Sequence, residues 1–143
     1  MSAEQNKAIV LRLIELINNR RVNLLDEVMA NDFVMHIGTK GELKGLAAFK
    51  RVNTTEGGAV AFPDFEITVE DMVVENDRVA VRYTMRATSS GKFMGHNGTG
   101  ERVQWAGNVI YRIANNKIVE SWTTEDFFYL LQQLNIKDIS KLK

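Results

Sequence analysis

The chain has 143 residues, 45% hydrophobic and 25% charged, the composition of one ordinary globular domain able to bury roughly two-thirds of its unfolded surface. Its 18 Lys plus Arg equal its 18 Asp plus Glu, and Arg20-Arg21 and the tail residues Lys137, Lys141 and Lys143 are too scattered for a phosphate-tracking stripe, so neither nucleic acid nor an anionic membrane is an expected partner. The absence of cysteine excludes disulfides, thiol nucleophiles and thiolate metal sites together, which a reducing cytoplasm permits.

The opening "MSAEQNKAIVLRLIEL" carries Glu4, Lys7 and Arg12 within its apolar pattern, so it lacks the uninterrupted core of a signal peptide. No run approaches the ~20 apolar residues that cross a bilayer. A soluble, cytoplasmic protein is expected. Ile9, Val10, Leu13, Ile14 and Ile17 recur at three- and four-residue spacing and predict a helix over residues 3–19. Asn23, with Asp26 three residues later, predicts a capped second helix through "LLDEVM". A third runs from Gly45 to about Thr55, with Leu46, Phe49 and Val52 on one face, until "EGG" ends it.

At Phe65 the period changes to two. Phe65, Ile67 and Val69 alternate with Glu66, Thr68 and Glu70; beyond a turn at Asn76-Asp77, Val79, Val81, Tyr83 and Met85 alternate with Arg78, Arg82, Thr84 and Arg86. After a glycine-rich loop come "RVQWAGNVIYRI" and, across Asn115-Asn116, "KIVESW". The four strands form an antiparallel meander, and the sole proline, Pro63, precedes them where it disturbs no ladder. Helices followed by a meander predict an α+β fold, one domain over residues 1–143, with helices covering one face of a curved antiparallel sheet. A short helix closes the chain after "SWTTED".

Few motifs carry chemistry. "GHNGTG" is followed by a strand rather than by the helix N-terminus that a phosphate loop needs, so its glycines are read as positive-φ positions of a wide hairpin connection. There is no paired-histidine spacing for a metal and no nucleophile elbow around any serine. General acid–base chemistry needs only one or two titratable groups in a dry pocket, and the candidates are His36, His96, Tyr83, Glu125 and Asp126. His36 follows "FVM" and either points inward at the core edge or is a hydrogen-bonded structural histidine; His96 is most simply solvent-facing. Tyr83 lies on the apolar face of its strand, where its hydroxyl needs a partner. Trp105 shares a face with Val103, Val109 and Tyr111, and Gly107 on that face leaves either space or a bulge. A cavity lined by Phe33, Tyr83, Met85 and Trp105 follows from the first alternative. Glu125 is expected at the strand exit, facing solvent. Asp126 reads as a helix cap in a T-x-x-D arrangement with Thr123.

In order and spacing, "NDFVMH", "AFPDFEITVEDMVVENDRVAVRYTMRATSSGKFMGHNGTGERV", "VIYRIANNKIVESW" and "DFFYLLQQL" resemble the SnoaL-like polyketide cyclase family, from about Glu4 to Leu134. The resemblance implies the cone-shaped fold shared with nuclear transport factor 2 and ketosteroid isomerase, enclosing an apolar pocket. It also implies a homodimer through the sheet, with Gln104, Asn108, Ile110 and Trp122 as candidate contacts; ordinary surface exposure is the competing reading. The family chemistry is an aldol ring closure without metal or cofactor, in which a carboxylate takes a proton beside a carbonyl and the pocket stabilises the enolate.

The aspartate that does this in characterised cyclases corresponds, by the spacing from "RIANNKI", to Thr123, which cannot be a base. The family's pocket-facing histidine and glutamine match Val109 and Gly107. The fold therefore carries over and the cyclase mechanism does not. What is expected is a cone that holds a small apolar or aromatic molecule, with Val109 and Ser121 added to the lining. If it is an enzyme, it performs cofactor-free proton transfer of the cyclase or isomerase type, with His36 as acid/base and Tyr83 or Thr123 as hydrogen-bond donor. The alternative is a noncatalytic ligand-binding or dimerisation module.

Overall fold

Ser2 starts the first helix, α1 (Ala3–Asn18), by a reciprocal cap: its hydroxyl accepts from the Gln5 N–H while the Gln5 side chain accepts from the Ser2 N–H. The structure, a computed structural model, describes residues 2–140, so Lys141 and Lys143 of the basic tail lie outside it. The stripe on α1 buries Val10, Leu13, Ile14, Leu16 and Ile17. The helix ends in a Schellman motif: the Arg21 N–H reaches the Leu16 carbonyl and the Arg20 N–H that of Ile17, with Arg20 at φ +60°.

The expected second helix is a single 3-10 stretch, Val22–Glu27, without a side-chain cap. Asn23 caps nothing, and Asp26 pairs instead with Lys50. The third is shorter than expected, α2 (Leu46–Val52), and a further turn, α3 (Gly58–Ala61), follows where "EGG" reads as a loop.

The meander is present as β3 (Glu66–Glu75), β4 (Arg78–Thr88), β5 (Arg102–Ala114) and β6 (Lys117–Glu125). Two strands unread in the sequence extend it, β1 (Met29–Ile37) and β2 (Gly41–Lys44), giving the order β2-β1-β6-β5-β4-β3. The β1–β6 pairing is parallel, so the sheet is mixed rather than wholly antiparallel. Irregularities at Val69/Asp71, Arg112/Ile113 and Met29/Val34 add twist and curvature. The concave face wraps α1 and α2; Phe33 meets Phe49 edge to face at 5.3 Å.

The last helix, α4 (Phe127–Gln133), is capped by Asp126, whose carboxylate accepts from the Tyr129 N–H at 3.1 Å. Asp126 is itself the N-cap, so the T-x-x-D arrangement with Thr123 does not form; Thr123 belongs to β6. Gly95 and Gly100 take φ +80° and +78° in the β4–β5 connection, as a wide hairpin loop requires. Among the described residues, no helix is long and apolar enough to cross a membrane.

Candidate active site

Alternation along the central strands fixes what faces inward. Tyr83 and Met85 of β4 stand opposite Gly107 and Trp105 of β5, while Val109 and Gly107 stand opposite Thr123 and Glu125 of β6. Together with Ile14 and Ile17 of α1 and Phe49 and Val52 of α2, all of these positions except Gly107 line a cavity of about 300 Å³. The lining is mainly aliphatic and aromatic; its polar side chains are Thr123, Glu125, Tyr83 and Tyr111, neighbours on β4 to β6, and Asn53 after α2, the usual character of a small-molecule site.

The polar end is Glu125. Its side chain points into the cavity, and the Trp105 indole Nε1–H donates to its Oε1 at 2.5 Å. Burial pushes this carboxyl above the ordinary range, while donation from Trp105 and the nearby Tyr83 phenol pull the other way. Tyr83 and Tyr111 are both pushed well above the usual phenol value, chiefly by burial and further by the charge of Glu125. At neutral pH both phenols keep their protons, beside a carboxyl whose proton affinity burial raises.

Gly107 explains how Tyr83 comes so close. A Cβ at Gly107 would stand 2.3 Å from Tyr83 Cζ and 2.5 Å from its hydroxyl oxygen. The space read in the sequence at Gly107 is therefore filled by the Tyr83 ring, and the strand pairs regularly there, without a bulge.

Of the expected pocket residues, Tyr83, Met85, Trp105, Val109 and Thr123 line the cavity. Phe33 and Ser121 are buried but do not line it: Phe33 packs on Phe49, and Ser121 lies between Met35 and Tyr111 in register. His96 is exposed in the β4–β5 loop. Glu125 corrects the sequence reading most. Two residues beyond Thr123 on the same strand face, it lies half-buried in the cavity wall, because α4 folds back over the strand end and sets Phe127 and Leu130 into the same lining. The period-two pattern from Ser121 through Thr123 already signals that inward face.

His36 lies elsewhere. It pairs in register with Trp122, on the sheet face opposite Met35, Ile37 and Thr123, which line the cavity. There its ring stacks on Trp122 with centroids 5.4 Å apart, and its Nε2 is 2.7 Å from Glu120, which also accepts from Arg112 at 3.0 Å. Glu42 stands 3.6 Å from Nδ1, and the Arg78 guanidinium covers Trp122. Of the two readings of His36, the one that points it inward at the core edge fails, because the register of β1 turns it outward, and the hydrogen-bonded histidine is the one observed.

The sequence matches the SnoaL-like polyketide cyclase family over residues 7–134. No curated protein matches it. Among solved structures, AclR of Streptomyces galilaeus, a candidate hydroxylase, is 31% identical with a TM-score of 0.83, covering 96% of this chain and 100% of that one. IdmH of Streptomyces antibioticus, a candidate polyketide cyclase, is 30% identical with a TM-score of 0.78, covering 92% and 99%. A SnoaL-like protein of Jannaschia sp. CCS1, 21% identical with a TM-score of 0.84 over 95% of each chain, shares the fold.

Proposed function

This chain belongs to the SnoaL-like polyketide cyclase family, and we propose that it binds a small apolar, carbonyl-bearing molecule in the cone and removes a proton beside that carbonyl with Glu125. The observation that carries this reading is a carboxylate oriented by the Trp105 N–H at the polar end of an otherwise apolar cavity. A base works best when its proton affinity lies near the working pH, and the burial of Glu125 moves it in that direction. Among the described residues no lysine or arginine lines the cavity, which favours a neutral ligand over an anionic one. The position matched to the family aspartate is Thr123, so Glu125 supplies a carboxylate from one strand repeat further on. Proton removal beside a carbonyl is the first step of an intramolecular aldol closure, in which the carbanion attacks a second carbonyl carbon of the same molecule and the alkoxide so formed takes up a proton. The 30% identical relative from Streptomyces antibioticus, a candidate polyketide cyclase, is compatible with it.

The noncatalytic alternative is tested in the same experiment. β-Tetralone, a neutral bicyclic ketone with enolisable hydrogens, is offered to the protein in heavy water, with binding followed by tryptophan fluorescence and exchange at carbon by NMR. Saturable binding with catalysed exchange is the expected result. Binding without exchange above the buffer rate supports a pure binding module.

A further inference from the structure

Across three neighbouring strands, Tyr83, Gly107 and Glu125 form one row on the concave face: Tyr83 is the register partner of Gly107 on one side, and Glu125 is its partner on the other. Residues two strands apart in a sheet stand roughly 10 Å apart at the backbone, too far for most side chains to meet across an intervening one. Here there is no intervening side chain. The Tyr83 ring lies over the glycine, with Cζ, the hydroxyl oxygen and Cε2 at 2.3, 2.5 and 2.6 Å from where a Cβ would stand. The atoms occupying that place are the far end of the ring, the part directed towards Glu125. Gly107 does not have a positive φ and ends no strand, so turn chemistry does not explain it.

We propose that Gly107 is a positioning residue: by leaving its column of the sheet empty, it lets the Tyr83 hydroxyl reach across β5 and act on Glu125. With Trp105 on the same carboxylate, the site then holds its base between two donors, and the Tyr83 phenol is also placed to serve an oxygen that becomes negative when the base takes a proton. Any side chain at position 107 breaks this arrangement, because the obstacle is the ring terminus and the ring must swing out of the row. The inference rests on the reading of Glu125 as the functional carboxylate, but its test uses no substrate.

The experiment is a pH titration of Trp105 fluorescence in a Trp122→Phe background, where the remaining indole reports the ionisation of the carboxylate it is bonded to. A Glu125→Gln control must abolish the transition. Tyr83→Phe removes the hydroxyl and is expected to move the midpoint upward. Gly107→Ala, with Tyr83 intact, is expected to move it upward too, and the double variant no further than Tyr83→Phe alone. A midpoint unmoved by Gly107→Ala while Tyr83→Phe shifts it, or two shifts that simply add, would overturn the proposal. Should Gly107→Ala fail to fold, adding Tyr83→Ala must restore folding, since it removes the ring the new methyl strikes; no rescue would also overturn it. If Gly107 positions Tyr83 as described but ketone exchange survives Glu125→Gln, the functional reading fails and this inference stands.

Discussion

Glu125 owes its chemistry to two opposing influences, burial that disfavours its charge and the Trp105 and Tyr83 donors that favour it, with burial prevailing. The native state therefore holds the Glu125 proton more tightly than the unfolded chain does. Its contribution to stability is largest below the ordinary glutamate value of 4.5 and is lost as pH rises through the higher folded value. Glu125→Gln removes that loss, so thermal unfolding from about pH 4 to pH 8 is expected to show a variant at least as stable as wild type at neutral pH. A clear drop in its melting temperature would mean that the charged form is what the fold favours. For turnover the sign is opposite, because only the deprotonated carboxylate is a base: activity should rise with pH along an acid limb displaced above 4.5. His36 carries the converse prediction. It faces away from the cavity, so His36→Ala should leave ketone exchange within a few-fold of wild type while loosening the His36–Trp122–Glu120 cluster behind β1. A loss of exchange as large as that of Glu125→Gln would restore His36 to the mechanism.

At the scale of elements, side-chain amides stand in for missing strands. Asn18, at the end of α1, both donates to the Ile67 carbonyl and accepts from the Ile67 N–H, at 2.9 and 2.8 Å, covering the open edge of β3. Gln133 of α4 does the same for Gln104 of β5, where β6 has already ended, accepting at 3.1 Å and donating at 2.6 Å. This second pairing clamps α4 over the cavity, with Phe127 in the wall and Phe128 left 73% exposed. Gln133→Ala should cost about 1–2 kcal/mol and weaken β-tetralone binding by loosening α4. Asn18→Ala should cost a similar amount without that loss of affinity, a contrast that urea unfolding and fluorescence titration can read. Arg20, read in the sequence only as half of a basic pair, is another such fastening. From its left-handed position it donates to the carbonyls of Ile17, Pro63 and Phe65 and lies over the Phe65 ring at 4.2 Å, tying α1 to the start of the sheet.

For the molecule as a whole, the sequence was legible where a long local pattern runs unbroken, and less so in short pieces such as the 3-10 stretch Val22–Glu27 and the β1–β2 hairpin. The α1 stripe, the alternation of β3 to β5 and the Asp126 cap all depend on residues within a turn or a hairpin of each other. "MANDFVMHI" was not legible as a strand, because its middle carries Asn31 and Asp32 and its pairing with β6 is parallel and some ninety residues distant. That one omission left the face of His36 open between two readings. The inward face of Glu125 was present in the period-two pattern, but its shielding depends on α4 returning over the strand, which no local pattern announces. On the outer face, Ile110 is 40% exposed beside its register partner Trp122. A dimer through the sheet would cover this pair, and sedimentation of Ile110→Arg should then show a monomer where wild type is dimeric.

Whether Glu125 is the base of the apolar cone is decided by measuring β-tetralone binding and α-hydrogen exchange on one Glu125→Gln preparation. Affinity within a few-fold of wild type and exchange reduced on the order of 10²- to 10⁴-fold are expected. Exchange that persists at the wild-type rate in a protein that still binds the ketone would contradict that role.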